Sequence, residues 1–215
     1  MVKFILFILI MTETLFADHN STKLVLGFSE KHNVDITLES AYQDKKFDHG
    51  NWGIFYEATN SIFSLGSFLP TLKGFDSHTY QTSLEDNFIL KISEINVYPI
   101  GYQFYPMDFT LFRTYKFSPY IGATLGIGYV GVSEAQIVDG VEVETNISAG
   151  LSLTYNLFVG YRILIVNKSG KGGVGYDLGI MYHKTSATAD PDKYLQNKKV
   201  VPSTKAYYLA MVVEF

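Results

Sequence analysis

The chain of 215 residues has no cysteine. That absence excludes a disulfide framework, a thiolate nucleophile and a cysteine-attached lipid, though it does not argue against export. Charge is also sparse, at 18% Asp, Glu, Lys and Arg, against about a quarter in ordinary globular domains. The formal net charge of −4 leaves no basic footprint, so no nucleic-acid partner is expected. Past the first 17 residues no apolar run approaches the roughly 20 residues a membrane-spanning helix needs. What the chain has instead is aromatic residues, 16 Tyr and 16 Phe. At that density they favour strands and amphipathic boundaries over a helical bundle.

The one long apolar run stands first. Lys3 precedes "FILFILIM", followed by "TETLFA" and a polar start at Asp18. A basic tip, a short apolar core and a small residue at Ala17 read as a secretory signal peptide over residues 1–17, although Leu15 occupies a place where a smaller side chain is preferred. The run is too short to span a bilayer. A single exported domain over 18–215 is expected.

Beyond it the chain alternates. In "TNISAGLSLTYNLFVGYRILI" the residues Ile147, Ala149, Leu151, Leu153, Tyr155, Leu157, Val159, Tyr161 and Ile163 share one face. Ser152, Thr154, Asn156, Gly160 and Arg162 share the other, and a period of two marks a strand. The pattern recurs at "FSPYIGATLGIGYVGV", "GVGYDLGIMYHKT", "NVDITLESAY" and the terminal "KAYYLAMVVEF". In "NFILKISEINVYPIGYQF" the phase slips near Ser93–Glu94, which predicts a β-bulge there. Segments near 22–29 and 51–63 bring the count to eight. Strands this long exceed the five or six residues usual in sandwiches and match the ~9–11 of membrane strands. The Tyr residues on the apolar face (Tyr129, Tyr155, Tyr161, Tyr207) resemble an interfacial girdle. The small residues opposite (Gly122, Gly126, Gly128, Gly150, Gly160) relieve crowding inside a narrow barrel. The expected fold is all-β, a closed antiparallel up-and-down transmembrane β-barrel of eight strands.

On the signal peptide, "PYIGATLGIGYVG", "NVYPIGYQFYP" and "YYLAMVVEF", the chain resembles the small outer-membrane β-barrel proteins of Gram-negative bacteria, the group around OmpX, OmpW and the opacity proteins. The resemblance implies an outer-membrane location, with outer-membrane lipid including lipopolysaccharide and the barrel-assembly machinery as partners. It also gives Phe215 an addressing role, as the terminal aromatic read during insertion. With Phe215 on the periplasmic side, loops 186–203, 134–144 and 64–86 fall outside. The connections at 165–172 and 106–116 fall inside.

The motifs that could carry chemistry are few. "KSGKGGVG" at 168–175 lacks the Lys-Ser/Thr pair and helix of a phosphate loop. His19, His32, His49, His78 and His183 show no ligand spacing. Asp48–His49 and Asp76 with His78 lie in expected loops, so neither a metal nor a cofactor is anticipated. His183, Thr185 and Ser186 form an alternative rim site with a faint similarity to the lipid A deacylase barrels, but no acid partner is nearby and no enzyme is expected. Asp35, Glu39, Lys91, Arg162, Asp177 and Glu214 are placed in the lumen as a polar network. Such charges must pair, and an eight-stranded interior is just wide enough for side chains. The expected role is non-enzymatic, in surface-loop binding or envelope integrity. A narrow channel for small or hydrophobic solutes and a rim lipid hydrolase are the alternatives.

Overall fold

The computed structural model describes residues 20–29, 34–37, 46–58, 71–83, 88–106, 109–111, 114–138, 141–167, 172–190 and 201–214. Nearly all of them are strand: β1 (Asn20–Ser29), β2 (Val34–Thr37), β3 (Asp48–Ala58), β4 (Thr71–Ser83), β5 (Phe88–Phe104), β6 (Phe109–Leu111), β7 (Tyr115–Val138), β8 (Val141–Val166), β9 (Gly173–Asp190) and β10 (Val201–Glu214). Eight of these pair in the order β1-β3-β4-β5-β7-β8-β9-β10, and β1 pairs back to β10. Every pairing is antiparallel, and the seam runs from Ser21 opposite Glu214 to Phe28 opposite Tyr207. Closure leaves no edge of unpaired backbone groups, the condition for strands to stand in lipid.

The barrel is inside out relative to a soluble one. Leu151, Leu153, Val159, Tyr161, Ile121, Ile127, Tyr176, Leu178, Leu209 and Met211 are exposed on its exterior. Thr154, Asn156, Arg162, Asp177 and His183 are buried within it. An apolar exterior on most strands around a largely polar interior is the arrangement of a membrane barrel. Among the described residues no helix is long and apolar enough to cross a membrane; the crossing is by strands.

Four expectations need correction. Residues 71–83 form a ring strand where a long loop over 64–86 was expected. "KGFDSHTYQTS" is polar on both faces, so alternation of hydrophobicity could not reveal it. β4 nonetheless pairs with β3 from Thr71 to Gln81 and with β5 from Gly74 to Ser83. The segment at Val34–Thr37 is not a separate ring strand. It pairs with β10 from Thr204 to Val201 and so prolongs the edge that β1 begins. The β5 irregularity falls between Val97 and Ile100, beside Pro99, which has no N–H for the ladder and is tolerated at a bulge. Leu90, Ile92, Glu94, Asn96 and Tyr98 therefore keep one inward phase, and Lys91 belongs to the outward one. Finally, part of the expected loop 134–144 is a hairpin extension, paired as far as Val138 opposite Val141. β9 likewise continues to Asp190 opposite Ala149.

An apolar waist crosses the lumen, made by Val25, Phe55, Leu72, Tyr98, Tyr120, Phe158, Met181 and Tyr208. Two glycines make room for its rings. A Cβ on Gly126 would stand 2.6 Å from the Tyr98 ring, and one on Gly160 would stand 2.9 Å from the Tyr120 hydroxyl. A glycine in a strand interior marks such a close approach.

Candidate functional site

The waist separates two buried polar layers. Toward the Glu214 end, β1, β3, β8 and β9 contribute Lys23, Glu57, Arg162 and Asp177. Arg162 and Asp177 are directly cross-strand on β8 and β9. The Arg162 guanidinium donates through Nε to Asp177 Oδ1 at 2.8 Å and through one terminal nitrogen to Glu57 Oε2 at 2.7 Å. Lys23 Nζ stands 2.9 Å from Asp177 Oδ2 and 3.3 Å from Glu57 Oε2, and it donates to Gln103 Oε1 at 2.6 Å. The Tyr105 hydroxyl donates to Glu57 Oε1 at 2.8 Å. Two cations meet two carboxylates, so the layer is neutral, and the remaining oxygen sites are filled by neutral donors. Tyr120 and Tyr208 close it toward the waist through a hydrogen bond between their hydroxyls.

On the other side of the waist lies a different chemistry. Asp76 and His78 of β4 project inward two residues apart on one face. They meet His49 of β3, Glu94 and Asn96 of β5, Asn156 of β8, and His183 and Thr185 of β9. Asp76 Oδ1 accepts from Asn96 Nδ2 at 3.1 Å and from the Tyr98 hydroxyl at 3.0 Å, while Oδ2 accepts from Asn156 Nδ2 at 3.2 Å. The His78 and His183 rings stack with centroids 3.8 Å apart. His78 Nδ1 lies 3.0 Å from His49 Nε2. His183 Nδ1 lies 2.7 Å from Asn156 Oδ1, and its Nε2 lies 2.8 Å from Glu94 Oε2. One donor atom each from Asp76, His78 and His183 falls within a 4.8 Å span. Among the described residues, the ion-pair partners of Asp76 and Glu94 are histidines alone.

The candidate residues of the sequence are thus only partly brought together. Arg162 and Asp177 meet in the first layer. Glu214 shares the inward phase of β10, half-buried at its end. Lys91 is not a lumen residue, because β5 keeps its phase through Glu94. Asp35 lies in β2 opposite Ser203, its side chain outside the described residues, as are Glu39, the segment 1–17 and Phe215. The rim site does not assemble. His183 and Thr185 are fully buried, whereas Ser186 is exposed on the opposite face. The Thr185 hydroxyl sits 3.0 Å from the same His183 nitrogen that Glu94 occupies, whereas a triad needs nucleophile and acid on opposite ring nitrogens. His49 and His78, expected in loops, are buried lumen residues.

Lys23, Glu57, Asp76, His78 and Glu94 were missed as site residues. "TKLVLGF" carries a readable signal for Lys23, which alternates with Leu24, Leu26 and Phe28 on the exterior. Strand β4 carries no such signal.

No family model matches the chain, and no curated protein matches it. Among solved structures it is similar to Neisserial surface protein A, at 17% identity and a TM-score of 0.46 over 91% of this chain and 97% of that one. It is similar to Ail, the attachment invasion locus protein of Yersinia pestis, at 14% identity and a TM-score of 0.40 over 93% and 100%. It is also similar to the outer membrane protein OprG from Pseudomonas aeruginosa, at 14% identity and a TM-score of 0.42 over 93% and 96%. Likenesses of this degree add nothing to what the strand ring and its apolar exterior establish: the chain is a small transmembrane β-barrel.

Proposed function

We propose that this protein is a non-enzymatic outer-membrane barrel whose work is done at its outer surface rather than through its lumen. The observation that carries this reading is the filled interior. The waist and its two flanking layers occupy the lumen with interlocking side chains, and the void beside Lys23, Phe55, Tyr120, Asp177 and Tyr208 measures about 10 Å³. A single water needs ~10–15 Å³, so this gap holds about one water at most and is not an open pore. A narrow channel is disfavoured accordingly. The lipid-hydrolase alternative is disfavoured because Thr185 is sealed inside the lumen and Ser186, though exposed, lies on the face away from His183.

Surface binding is favoured by the β7–β8 hairpin. It reaches the end opposite Glu214 and exposes Ile137, Val138 and Val143. Its strands are fastened by a hydrogen bond from the Ser133 hydroxyl to Glu144. Outer-membrane lipid, lipopolysaccharide included, surrounds the wall in this reading. The barrel-assembly machinery inserts the chain after export through the 1–17 segment, with Phe215 as part of its address.

Purified protein in lipid, assayed side by side for conductance and lipid hydrolysis, tests the proposal. Silence in both assays is the expected outcome. Steady single-sized openings would establish the channel, and release of fatty acid would establish the hydrolase.

A further inference from the structure

The histidine layer contains more binding capacity than its own contacts use. His78 Nε2 and Asp76 Oδ2 stand 3.0 Å apart, yet His78 Nε2 makes no hydrogen bond among the described residues. The ring N–H direction misses the oxygen. Glu94 Oε1 is also buried without a hydrogen-bond partner. Buried polar atoms in this condition are costly unless something else satisfies them.

The hydrogen bonds around the two stacked rings determine which nitrogen of each faces the carboxylates. Asn156 gives its Nδ2 to Asp76, which can only accept, so Asn156 turns Oδ1 toward His183 Nδ1. His183 Nδ1 must therefore carry a hydrogen, and its Nε2 is left facing Glu94 Oε2. If that Nε2 bore only a lone pair, it would face a carboxylate at 2.8 Å, so a proton or a metal cation has to lie between them. His78 uses Nδ1 toward His49 and likewise presents Nε2. Both rings thus offer the same nitrogen, beside one oxygen of Asp76 and one of Glu94. Orientation of a ligand histidine through its other ring nitrogen is the usual support of a metal site.

We propose that Asp76, His78 and His183 bind a divalent transition ion of the zinc class, with Glu94 beside them as a further oxygen donor. The donor set selects the class: imidazole nitrogen with carboxylate suits zinc and its first-row neighbours, whereas calcium and magnesium take oxygen alone. Tetrahedral donors about 2.1 Å from a shared ion stand about 3.4 Å apart. Loading therefore draws the side chains in from their 4.8 Å span by more than about 1 Å and turns the two stacked rings toward the ion. The ion balances two buried carboxylates that have no Lys or Arg partner among the described residues. It also ties β4 to β9, strands that are not neighbours in the ring, across the lumen. Tyr80 and Ile92, both fully buried, follow this layer in the inward columns of β4 and β5. Phe55, Tyr98 and Met181 close the waist side, so loading belongs to folding and exchange is slow.

The test is to fold the protein in detergent with and without zinc, remove free metal, and measure zinc per barrel together with the temperature at which the compact gel form is lost. One zinc per folded barrel and a higher transition temperature are expected. D76N, H78Q and H183Q should lose both effects, while H32Q should retain them. A folded wild-type barrel without stoichiometric zinc would overturn the proposal and leave protonated histidine as the balancing charge. Retention of zinc by H78Q would overturn it equally. Should the substituted barrels not fold, the imidazole nitrogen spectrum of the wild type decides. Zinc must shift the Nε2 signals of two buried histidines, and an unchanged spectrum refutes the site.

Discussion

The two polar layers of the lumen differ in how their charge is balanced. Near the Glu214 end, Lys23 and Arg162 face Glu57 and Asp177, and each charge is met by an opposite one within 3.3 Å. Across the waist, Asp76 and Glu94 face only imidazoles and neutral donors among the described residues. The first layer is complete as it stands and has no capacity for a ligand, so its role is to hold four strands together across the barrel. The second layer is short of positive charge and long on lone pairs. Layers of equal burial therefore do different things because of their bookkeeping of charge, and the difference can be tested.

The largest effect is expected in the complete layer. Arg162→Ala leaves Glu57 and Asp177 sharing Lys23 alone, and removing one partner from a buried ion pair costs about 3–5 kcal/mol. The urea midpoint of the folded barrel in lipid should fall accordingly. Replacing all four charges with apolar or neutral residues of similar volume should be far milder than the single change, because no charge is then left unpaired. Equal loss in both variants would mean that the quartet acts through shape and not through charge.

In the histidine layer, His183→Ala without added metal should cost less, about 1–3 kcal/mol, the cost of leaving Glu94 and Asn156 without their partner. Chemical denaturation in chelator measures it. A loss as large as that of Arg162→Ala would show that this layer also holds the wall by itself. The waist that keeps the layers apart is tested by Gly160→Val. The added methyls would meet the Tyr120 hydroxyl and the β9 backbone, an overpacking of roughly 1–3 kcal/mol. The same melting experiment reads it.

The parts of this molecule that were legible in the sequence are those where hydrophobicity alternates cleanly. β7, β8, β9 and β10 each present an aliphatic or tyrosine face to the exterior and a small or polar face to the lumen, so their phases could be read directly. Arg162 and Asp177 followed from those phases. What could not be read shares one cause. A filled lumen buries apolar residues as well as polar ones, so Leu90 and Ile92 point inward beside Glu94 and blur the alternation along that stretch. β4, polar on both faces, has no apolar stripe to show at all. Its identity as a strand comes from its neighbours, which supply the ladder on either side. The histidine layer was hidden for the same reason: its side chains come from β3, β4, β5, β8 and β9, and no local spacing encodes a meeting across the barrel.

The smallest expected effect concerns Lys91, and it bears on how the second layer is assembled. Glu94 reaches His183 only because β5 carries one inward phase from Leu90 through Tyr98, with the irregularity postponed to Val97–Ile100. That phase puts Lys91 on the outward face, half-buried and flanked by Leu90 and Ile92, which are both buried inward. Lys91 has an interaction of its own, and losing a contact on the solvent side costs no more than about 1 kcal/mol. Lys91→Ala should therefore leave the urea midpoint nearly where it is in the wild type. Were Lys91 a lumen cation instead, it would be the missing partner of Glu94, and its loss would strand a buried carboxylate at a cost several times larger. A midpoint shift approaching that of Arg162→Ala would move the bulge back toward Ser93–Glu94 and give the second layer the charge balance of the first.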